Sequence, residues 1–222
     1  IPIGEHTLKL GDWSKEVIVE KDKVTEIKIS SSNVTSFIEK MKNLNLEMIS
    51  VTGDYYNGIN IKDYYISKYE ITQLQWYIVM GKNPSIFKGC DNCPVENVSW
   101  NEVKEFINRL NKMTGKVYRL PTEEEWEYAA FGGKNENNIN YAGSNILENV
   151  GWYYDNSEKS THPVGQKQPN SLGIFDMSGN VWEMCSVISD KGIKHLVKGG
   201  CYKSNSTECI ISSKNYFFGN NP

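Results

Sequence analysis

The C-terminal half of the chain is dominated by residues that interrupt regular secondary structure. From about residue 134 onward, glycine, asparagine and serine recur at short intervals, and the runs between them are too short for long helices or strands. An irregular stretch of this length inside a domain is uncommon and usually carries function or binds ions. The chain must therefore fold around ordered loops, and most of its helices are expected in the first half.

Two capping boxes mark the clearest helices. Ser99-Trp-Asn-Glu102 precedes apolar residues at helical spacing, and Gly115 closes the predicted helix. Thr122-Glu-Glu-Glu125 opens another helix, which ends at a diglycine. Apolar spacing and helix-stop residues predict two further helices, over residues 31–44 and 72–80.

Short runs of β-branched and aromatic residues predict small strands. Residues 46–53 and 59–65 flank the turn signal Asn57-Gly58. Near the N-terminus, three more runs predict small β structure, over residues 4–10, 16–20 and 24–29.

Charge and composition argue against several classes of protein. The formal net charge is −3, the sequence pI is about 5.7, and the only arginines are Arg109 and Arg119. This balance does not favour nucleic acid or anionic lipid as a partner. No apolar run approaches the roughly 20 residues of a membrane-spanning helix. We therefore expect no nucleic-acid partner, and membrane attachment only through a lipid anchor upstream of Ile1.

The five cysteines are too few for a disulfide scaffold, and their odd number leaves at least one unpaired within the chain. Cys90 and Cys93 form a lone C-x-x-C pair in a loop rich in proline and asparagine. The remaining cysteines, at 185, 201 and 209, provide no second close pair for a zinc site. The sequence therefore favours a local disulfide or two thiols at Cys90 and Cys93 over a metal.

An ordered series of motifs carries a family resemblance. In chain order the motifs are DYYISKYEIT (63–72), PVENVSW (94–100), YRLPTEEEWEYAA (118–130), NSLG (170–173), GNVWE (179–183) and KGG (198–200), followed by Cys209. Over about residues 45–219 the chain resembles the formylglycine-generating enzyme family, also called the sulfatase-modifying factor domain. The resemblance implies an α+β, C-type-lectin-like fold with a small antiparallel sheet, two or three helices and extensive ordered loops.

The chain is expected to divide into three segments. Residues 1–30 resemble the end of a small β-sandwich repeat of the PEGA type, residues 31–44 form a linker helix, and residues 45–222 form the formylglycine-generating-enzyme-like domain. The first segment also suggests an alternative function, as a polysaccharide- or peptidoglycan-associated module. The chain ends at Pro222, before the Gly-Phe-Arg strand that normally closes this fold.

The resemblance does not extend to the catalytic thiols. In the oxidase members, two cysteines five residues apart follow a Gly-Gly-Ser motif and bind copper for O₂-dependent oxidation of a substrate cysteine. Here Cys201 occupies the serine position, Lys203 or Ser204 stands where the first cysteine belongs, and Cys209 falls on a later position. Because Cu(I) needs both thiolates, we expect a non-catalytic protein. The alternative is a copper-dependent formylglycine-generating oxidase that uses Cys201 and Cys209.

The residues around and after the diglycine predict a ligand-binding surface. They resemble the variable region of proteins diversified by retroelements, in which adenine-directed mutagenesis rewrites asparagine codons on a C-type-lectin fold. Aromatic side chains supply rigid contact area, and small polar ones supply adaptable hydrogen bonds. Of these residues, Tyr202, Lys203, Ser204 and Ser206 are the ones expected to be exposed. The full candidate set is Ser186, Ile188, Ser189, Tyr202, Lys203, Ser204, Asn205, Ser206, Thr207, Ile210, Ser212, Tyr216, Phe217 and Phe218.

The resemblance also implies calcium, because the family binds Ca²⁺ in its loop half. One family site is matched by the carboxylates of Asp176 and Glu183 with the backbone carbonyls of Gly179 and Val181. These oxygen atoms are the ligands that calcium requires. The alternative is that Asp176 and Glu183 only hydrogen-bond to loop backbone. A second family site is matched by Asn149, Val150, Asn156 and Glu158.

The resemblances together imply a non-enzymatic display protein that binds an unidentified protein or surface ligand. We expect a monomer at the bacterial cell surface or in the periplasm, as an outer-membrane lipoprotein. Calcium is the one cofactor that the sequence suggests.

Overall fold

The computed structural model describes residues 4–10, 13–19, 31–135, 138–186 and 194–218. An antiparallel hairpin of β1 (Gly4–Leu10) and β2 (Trp13–Val19) comes first, and helix α1 (Ser31–Leu44) follows. The strand expected over 24–29 lies outside the described residues.

Two small antiparallel pairs follow α1. Strand β3 (Met48–Val51) pairs with β6 (Tyr64–Ser67), and the short hairpin of β4 (Tyr55–Tyr56) and β5 (Ile59–Asn60) lies between them in the chain. Asn57 and Gly58 both have positive φ, as a tight hairpin turn demands. The predicted turn is therefore present, but the strands that flank it are β4 and β5, and β3 pairs with β6 outside them.

Three helices begin at capping boxes, in which a side-chain hydroxyl and a Glu or Gln three residues later satisfy free backbone N–H groups. They are α2 (Gln73–Met80), α3 (Trp100–Thr114) and α4 (Glu123–Ala130). Trp76 of α2 stacks on Phe106 of α3 with ring centroids 4.8 Å apart. This contact lies in an apolar cluster that also includes Leu44 of α1. One further helix, α5 (Leu147–Val150), is a single turn in the loop-rich half.

The largest core cluster joins α4 to a three-stranded antiparallel sheet. The sheet has the order β7 (Glu183–Cys185), β8 (Lys194–Lys198) and β9 (Asn215–Phe218). Trp126 of α4 is fully buried and belongs to one cluster with Cys185, Leu196 and Ile211. The fold is thus α+β with small antiparallel sheets, as expected, and much of the second half is loop packed on this cluster.

A buried ion pair links α4 to β8. The Lys198 side chain is 0% exposed, and its Nζ lies 2.7 Å from Oε1 of Glu127. The hydroxyl of Tyr56 donates to the other carboxylate oxygen of Glu127. Lys198 is the last residue of β8 and directly precedes the diglycine. The ion pair therefore fixes the end of β8, where the candidate surface begins.

The cysteines follow the sequence prediction. Cys90 and Cys93 form a disulfide, whereas Cys185, Cys201 and Cys209 are free thiols. None of the helices among the described residues combines the length and apolar character that a bilayer crossing requires.

Candidate functional site: the diglycine loop and its neighbours

The diglycine brings the chain into close contact with Cys209. Gly199 and Gly200 both have positive φ, and a Cβ atom at Gly200 would lie 2.6 Å from Sγ of Cys209. Only glycine fits such a position without moving the sulfur. Cys209 itself is buried and clusters with Leu147 and Val150 of α5.

The two thiols of this region have different environments. Burial, followed by the nearby Cys201, raises the pKa of Cys209 to about 12. Cys201 is half-buried, and its Sγ lies 3.6 Å from the hydroxyl oxygen of Ser204. Since the thiolate is the form that binds metal and attacks disulfides, Cys209 is poorly suited to either role at neutral pH.

Ser204 is buried, so the prediction that it lies on the surface was wrong. Its side chain accepts a hydrogen bond from the backbone N–H of Cys201, and its own N–H donates to the Cys201 carbonyl. Its carbonyl accepts from the N–H of Tyr154. Ser204 is therefore only 3% exposed, because it closes a turn and joins two loops.

The other predicted surface residues fall into three groups. Lys203, Asn205, Ser206, Thr207, Ser212 and Tyr216 are exposed. Partly buried positions are Ser186, Tyr202, Ile210 and Phe217. The prediction that Tyr202 is exposed is thus met only in part, because its ring packs against another loop. Ile188 and Ser189 lie outside the described residues, and Phe218 is the last residue of β9.

Hydrogen bonds within residues 205–208 hold the turn that follows. The side-chain oxygen of Asn205 accepts from the N–H groups of Thr207 and Glu208, and the Glu208 carboxylate accepts from the N–H of Asn205. Ser206 is exposed between them. The backbone of the loop is thus fixed while the Ser206 side chain points to the solvent side of the turn.

Apolar residues from other loops lie beside this segment. The ring of Phe87 meets the ring of Tyr202 edge-on, with centroids 5.3 Å apart. Ile86 and Tyr154 are large and exposed. Sequence reasoning missed all three because they are distant in the chain, and an apolar residue in a loop does not by itself signal a binding surface.

Of the predicted calcium carboxylates, Asp176 is buried and Glu183 is partly buried, and the two are electrostatically coupled. Burial raises the pKa of Asp176 to about 6. Burial, with a smaller contribution from Asp176, raises the pKa of Glu183 to about 7. The pKa of Glu70, which is also buried, is raised by its burial and then by these two carboxylates. Three acids thus lie close together in the interior, where a cation would lower their electrostatic energy.

One oxygen of this group has no partner. Oδ2 of Asp176 accepts from the N–H of Gly165, but Oδ1 is buried and makes no hydrogen bond among the described residues. At Gly179 a Cβ atom would lie 2.2 Å from the Trp152 carbonyl oxygen, so the loop that presents the predicted carbonyls requires glycine there. No set of three or more acidic, histidine or cysteine side chains with metal-binding geometry occurs in the described part of the chain. A calcium ion here would therefore need the carbonyls of Gly179 and Val181 as well as Asp176 and Glu183.

The second predicted calcium site has less support. The side-chain oxygen of Asn156 accepts from the N–H of Tyr153, and its amide donates to the Gly151 carbonyl. Asn149 accepts from the N–H of Gln168 through its backbone carbonyl, and Glu158 is exposed. Val150 is buried on α5. Asn156 acts here as a turn residue, and none of these four residues has a buried unpaired side-chain oxygen in the described part of the chain.

Comparison with known proteins identifies a domain family and several proteins that are similar to this chain. The domain family described as sulfatase-modifying factor enzyme 1-like matches residues 43–219. The chaperone protein LppX of Paenibacillus barcinonensis is 38% identical over 218 residues, covering 73% of this chain and 78% of LppX. The formylglycine-generating enzyme of Streptomyces coelicolor is 35% identical over 111 residues, covering 44% of this chain and 33% of the enzyme. The family match therefore spans most of this chain, whereas the match to that enzyme covers only a third of the enzyme's length.

A solved structure shares the fold over nearly the whole chain. Treponema denticola variable protein 1 superposes with a TM-score of 0.66 at 22% identity, and the match covers 98% of this chain and 94% of the variable protein. At this level of identity the likeness concerns the fold.

Proposed function

The chain belongs to the family of sulfatase-modifying factor enzyme 1-like domains, and from this premise we propose that it is a non-catalytic member that binds ligands through its C-terminal surface. The observation that carries the proposal is the state of the residues after the diglycine. Ser204, one of the residues at the expected position of the first catalytic cysteine, is a buried turn-closing hydroxyl, and Cys209 is a buried thiol of raised pKa. An oxidase needs two accessible thiolates for Cu(I).

The same segment has the properties of a binding surface. Its backbone is fixed by the turns at Ser204 and Asn205, and by a bond from the Ser157 hydroxyl to the Tyr202 carbonyl. A rigid scaffold that exposes polar and aromatic side chains loses little conformational entropy on binding. The proposed ligand is a protein or another surface molecule.

Ligand binding is tested with peptides, since no ligand is known. A phage library of random dodecapeptides is panned against the protein, and the enriched peptides are measured by fluorescence polarisation. Replacing Ser206, Ser212 and Tyr216 together with alanine is expected to abolish binding while the protein stays folded. If the triple variant binds as tightly as the wild type, the surface assignment is wrong. If it unfolds, these residues are structural.

The competing oxidase hypothesis predicts turnover. Purified protein loaded with copper would consume O₂ in the presence of a cysteine-containing peptide, and Cys209→Ser would abolish that consumption. We expect no copper-dependent consumption above that of the Cys209→Ser variant. A clear difference between the two proteins would overturn the non-catalytic assignment.

Relationship to LppX favours a second candidate function. LppX is described as a chaperone, and this chain covers most of its length. We propose as an alternative that the same surface binds unfolded chains. Suppression of aggregation of chemically denatured citrate synthase tests it, with the triple alanine variant as control. Equal suppression by both proteins would count against a role for the surface.

We propose calcium as a structural ion at Asp176, Gly179, Val181 and Glu183, supported by the unpaired Asp176 oxygen. When bound, the ion would neutralise the buried acids and fix the loop. Thermal melting with and without a chelator tests this, and an unchanged transition would remove calcium from the site. The match to Asn149, Val150, Asn156 and Glu158 stays a prediction.

Localisation and diversification are further proposals. We propose a monomeric protein of the bacterial cell surface or periplasm, held by a lipid anchor upstream of Ile1. Radioactive palmitate labelling of the full-length protein in cells would test the anchor, and size-exclusion chromatography would test the monomer. Diversification by a retroelement predicts a near-identical copy of the 3′ coding end beside a reverse transcriptase gene, differing mainly at adenines.

A further inference from the structure

We infer that the ligand-binding surface extends beyond the C-terminal segment onto an apolar step formed by Ile86, Phe87 and Tyr202, and that this step binds an acidic protein segment carrying an aromatic or aliphatic side chain. The inference rests on the proposed ligand-binding function. It adds Ile86 and Phe87 to a surface that the sequence predicted only at residues 186–189 and after the diglycine.

The loop that carries Ile86 and Phe87 is held rigidly. The N–H groups of both residues donate to the same carboxylate oxygen of Glu96. The carbonyl of Phe87 accepts from the side-chain amide of Gln73, which is buried in α2. The Cys90–Cys93 disulfide closes the chain shortly afterwards. An apolar side chain on a backbone held this firmly binds with little loss of conformational entropy.

The apolar step is open to solvent. Ile86 is 69% exposed although its backbone is fixed. Beside it in the chain, Phe87 packs edge-on against Tyr202, which leaves both rings partly open to solvent. Aromatic rings in partly buried pairs are typical anchors of protein interfaces. The step therefore joins a residue of the candidate C-terminal surface to two residues that lie outside it.

The charged side chains beside the apolar step select the kind of partner. The residues that follow Phe87 and Tyr202 in the chain are Lys88 and Lys203, and both are exposed. Within the part of the chain that the structure describes, neither ammonium group forms an ion pair, and that of Lys203 lies 5.1 Å from the Tyr202 ring centroid. The Glu96 carboxylate, which accepts the N–H groups of Ile86 and Phe87, adds one negative charge beside these two lysines. The net charge offered beside the apolar step is positive, which complements an acidic partner.

The experiment uses the same peptide panning on the full chain. Enriched peptides are expected to carry an aromatic or aliphatic residue next to Asp or Glu. Ile86→Ser is expected to weaken their binding by about tenfold or more, because an exposed aliphatic anchor is lost. Lys88→Glu is expected to weaken it as well, and more strongly at low salt. Two control changes on other exposed residues, Val117→Ser and Lys116→Glu, are expected to leave the dissociation constant unchanged.

The outcomes separate this inference from the proposed function. If Ile86→Ser binds the peptides unchanged while the triple alanine variant does not, the step is not part of the site and the proposed function stands. If neither variant loses binding, or no peptide is enriched, both proposals fail. If Val117→Ser, at a residue 91% exposed, weakens binding as much as Ile86→Ser, the peptides bind apolar surface without specificity and the inference is wrong.

Discussion

Removing one partner of the buried ion pair is expected to destabilise the protein strongly. Lys198 has no exposed side-chain surface, and its ammonium group lies 2.7 Å from the Glu127 carboxylate. Glu127→Ala would leave that charge buried without its carboxylate, and breaking a buried pair in this way costs about 3–5 kcal/mol. The loss is a large fraction of the roughly 5–15 kcal/mol by which domains are stable.

Replacing both partners should recover most of this loss. The double variant Lys198→Met with Glu127→Leu keeps similar volumes and removes both charges, and such replacements are often neutral or stabilising. Urea denaturation followed by tryptophan fluorescence gives the free energy of unfolding for the wild type, for the single variants Lys198→Met and Glu127→Leu, and for the double variant. The cycle is expected to show a coupling of about 3 kcal/mol or more.

An exposed pair on α3 provides the control. Glu105 and Arg109 form an ion pair one helical turn apart, and both side chains are about half exposed. Glu105→Ala is expected to cost no more than about 0.5 kcal/mol. The reasoning is refuted if Glu127→Ala costs as little as Glu105→Ala, or if the double variant is no more stable than the Glu127 single variant.

Two further outcomes concern the acid cluster and its loop. The pKa values of Asp176 and Glu183 are raised to about 6 and about 7 in the folded state. In the unfolded state both carboxyls lose their protons from about pH 4 upward, so between about pH 4 and 7 the folded state binds more protons than the unfolded state. In chelator the melting temperature should therefore fall as pH rises from about 4 to 7, and calcium should reverse the fall; a rising curve in chelator would contradict this. Gly179→Ala should lower the free energy of unfolding by more than about 3 kcal/mol, since its Cβ would overlap the Trp152 carbonyl. Gly173→Ala, at a positive φ with no heavy atom nearby, should lose only about 1–2 kcal/mol, and equal losses in urea denaturation would refute the overlap argument.

Local features of the fold could be predicted from the sequence. The start of α3 depends on Ser99 and Glu102, which bond to each other's backbone N–H groups across a single turn. The Asn57-Gly58 turn is likewise a property of two adjacent residues. The family resemblance added the overall architecture, which residue periodicity did not give. It was the order of motifs along the chain that carried this information.

The contacts between loops could not be predicted in the same way. The burial of Ser204 depends on the N–H of Tyr154, and the position of Tyr202 depends on Phe87. Such pairs are distant in the chain and have no periodic pattern, because loop contacts follow tertiary packing. The buried acids illustrate the same limit: the motif selected Asp176 and Glu183, but only the structure revealed the unpaired oxygen of Asp176.

The self-contained turn at residues 205–208 has a consequence for how the protein can change over time. Its closure needs Asn205 and Glu208, while Ser206 takes no part in those bonds. Mutation can therefore exchange the chemistry displayed at position 206 without altering the path of the main chain, whereas the same freedom at Asn205 would dismantle the turn. If ligands bind this loop as proposed, partner preference and foldability depend on different residues of it, and a change of partner at position 206 would leave the fold intact.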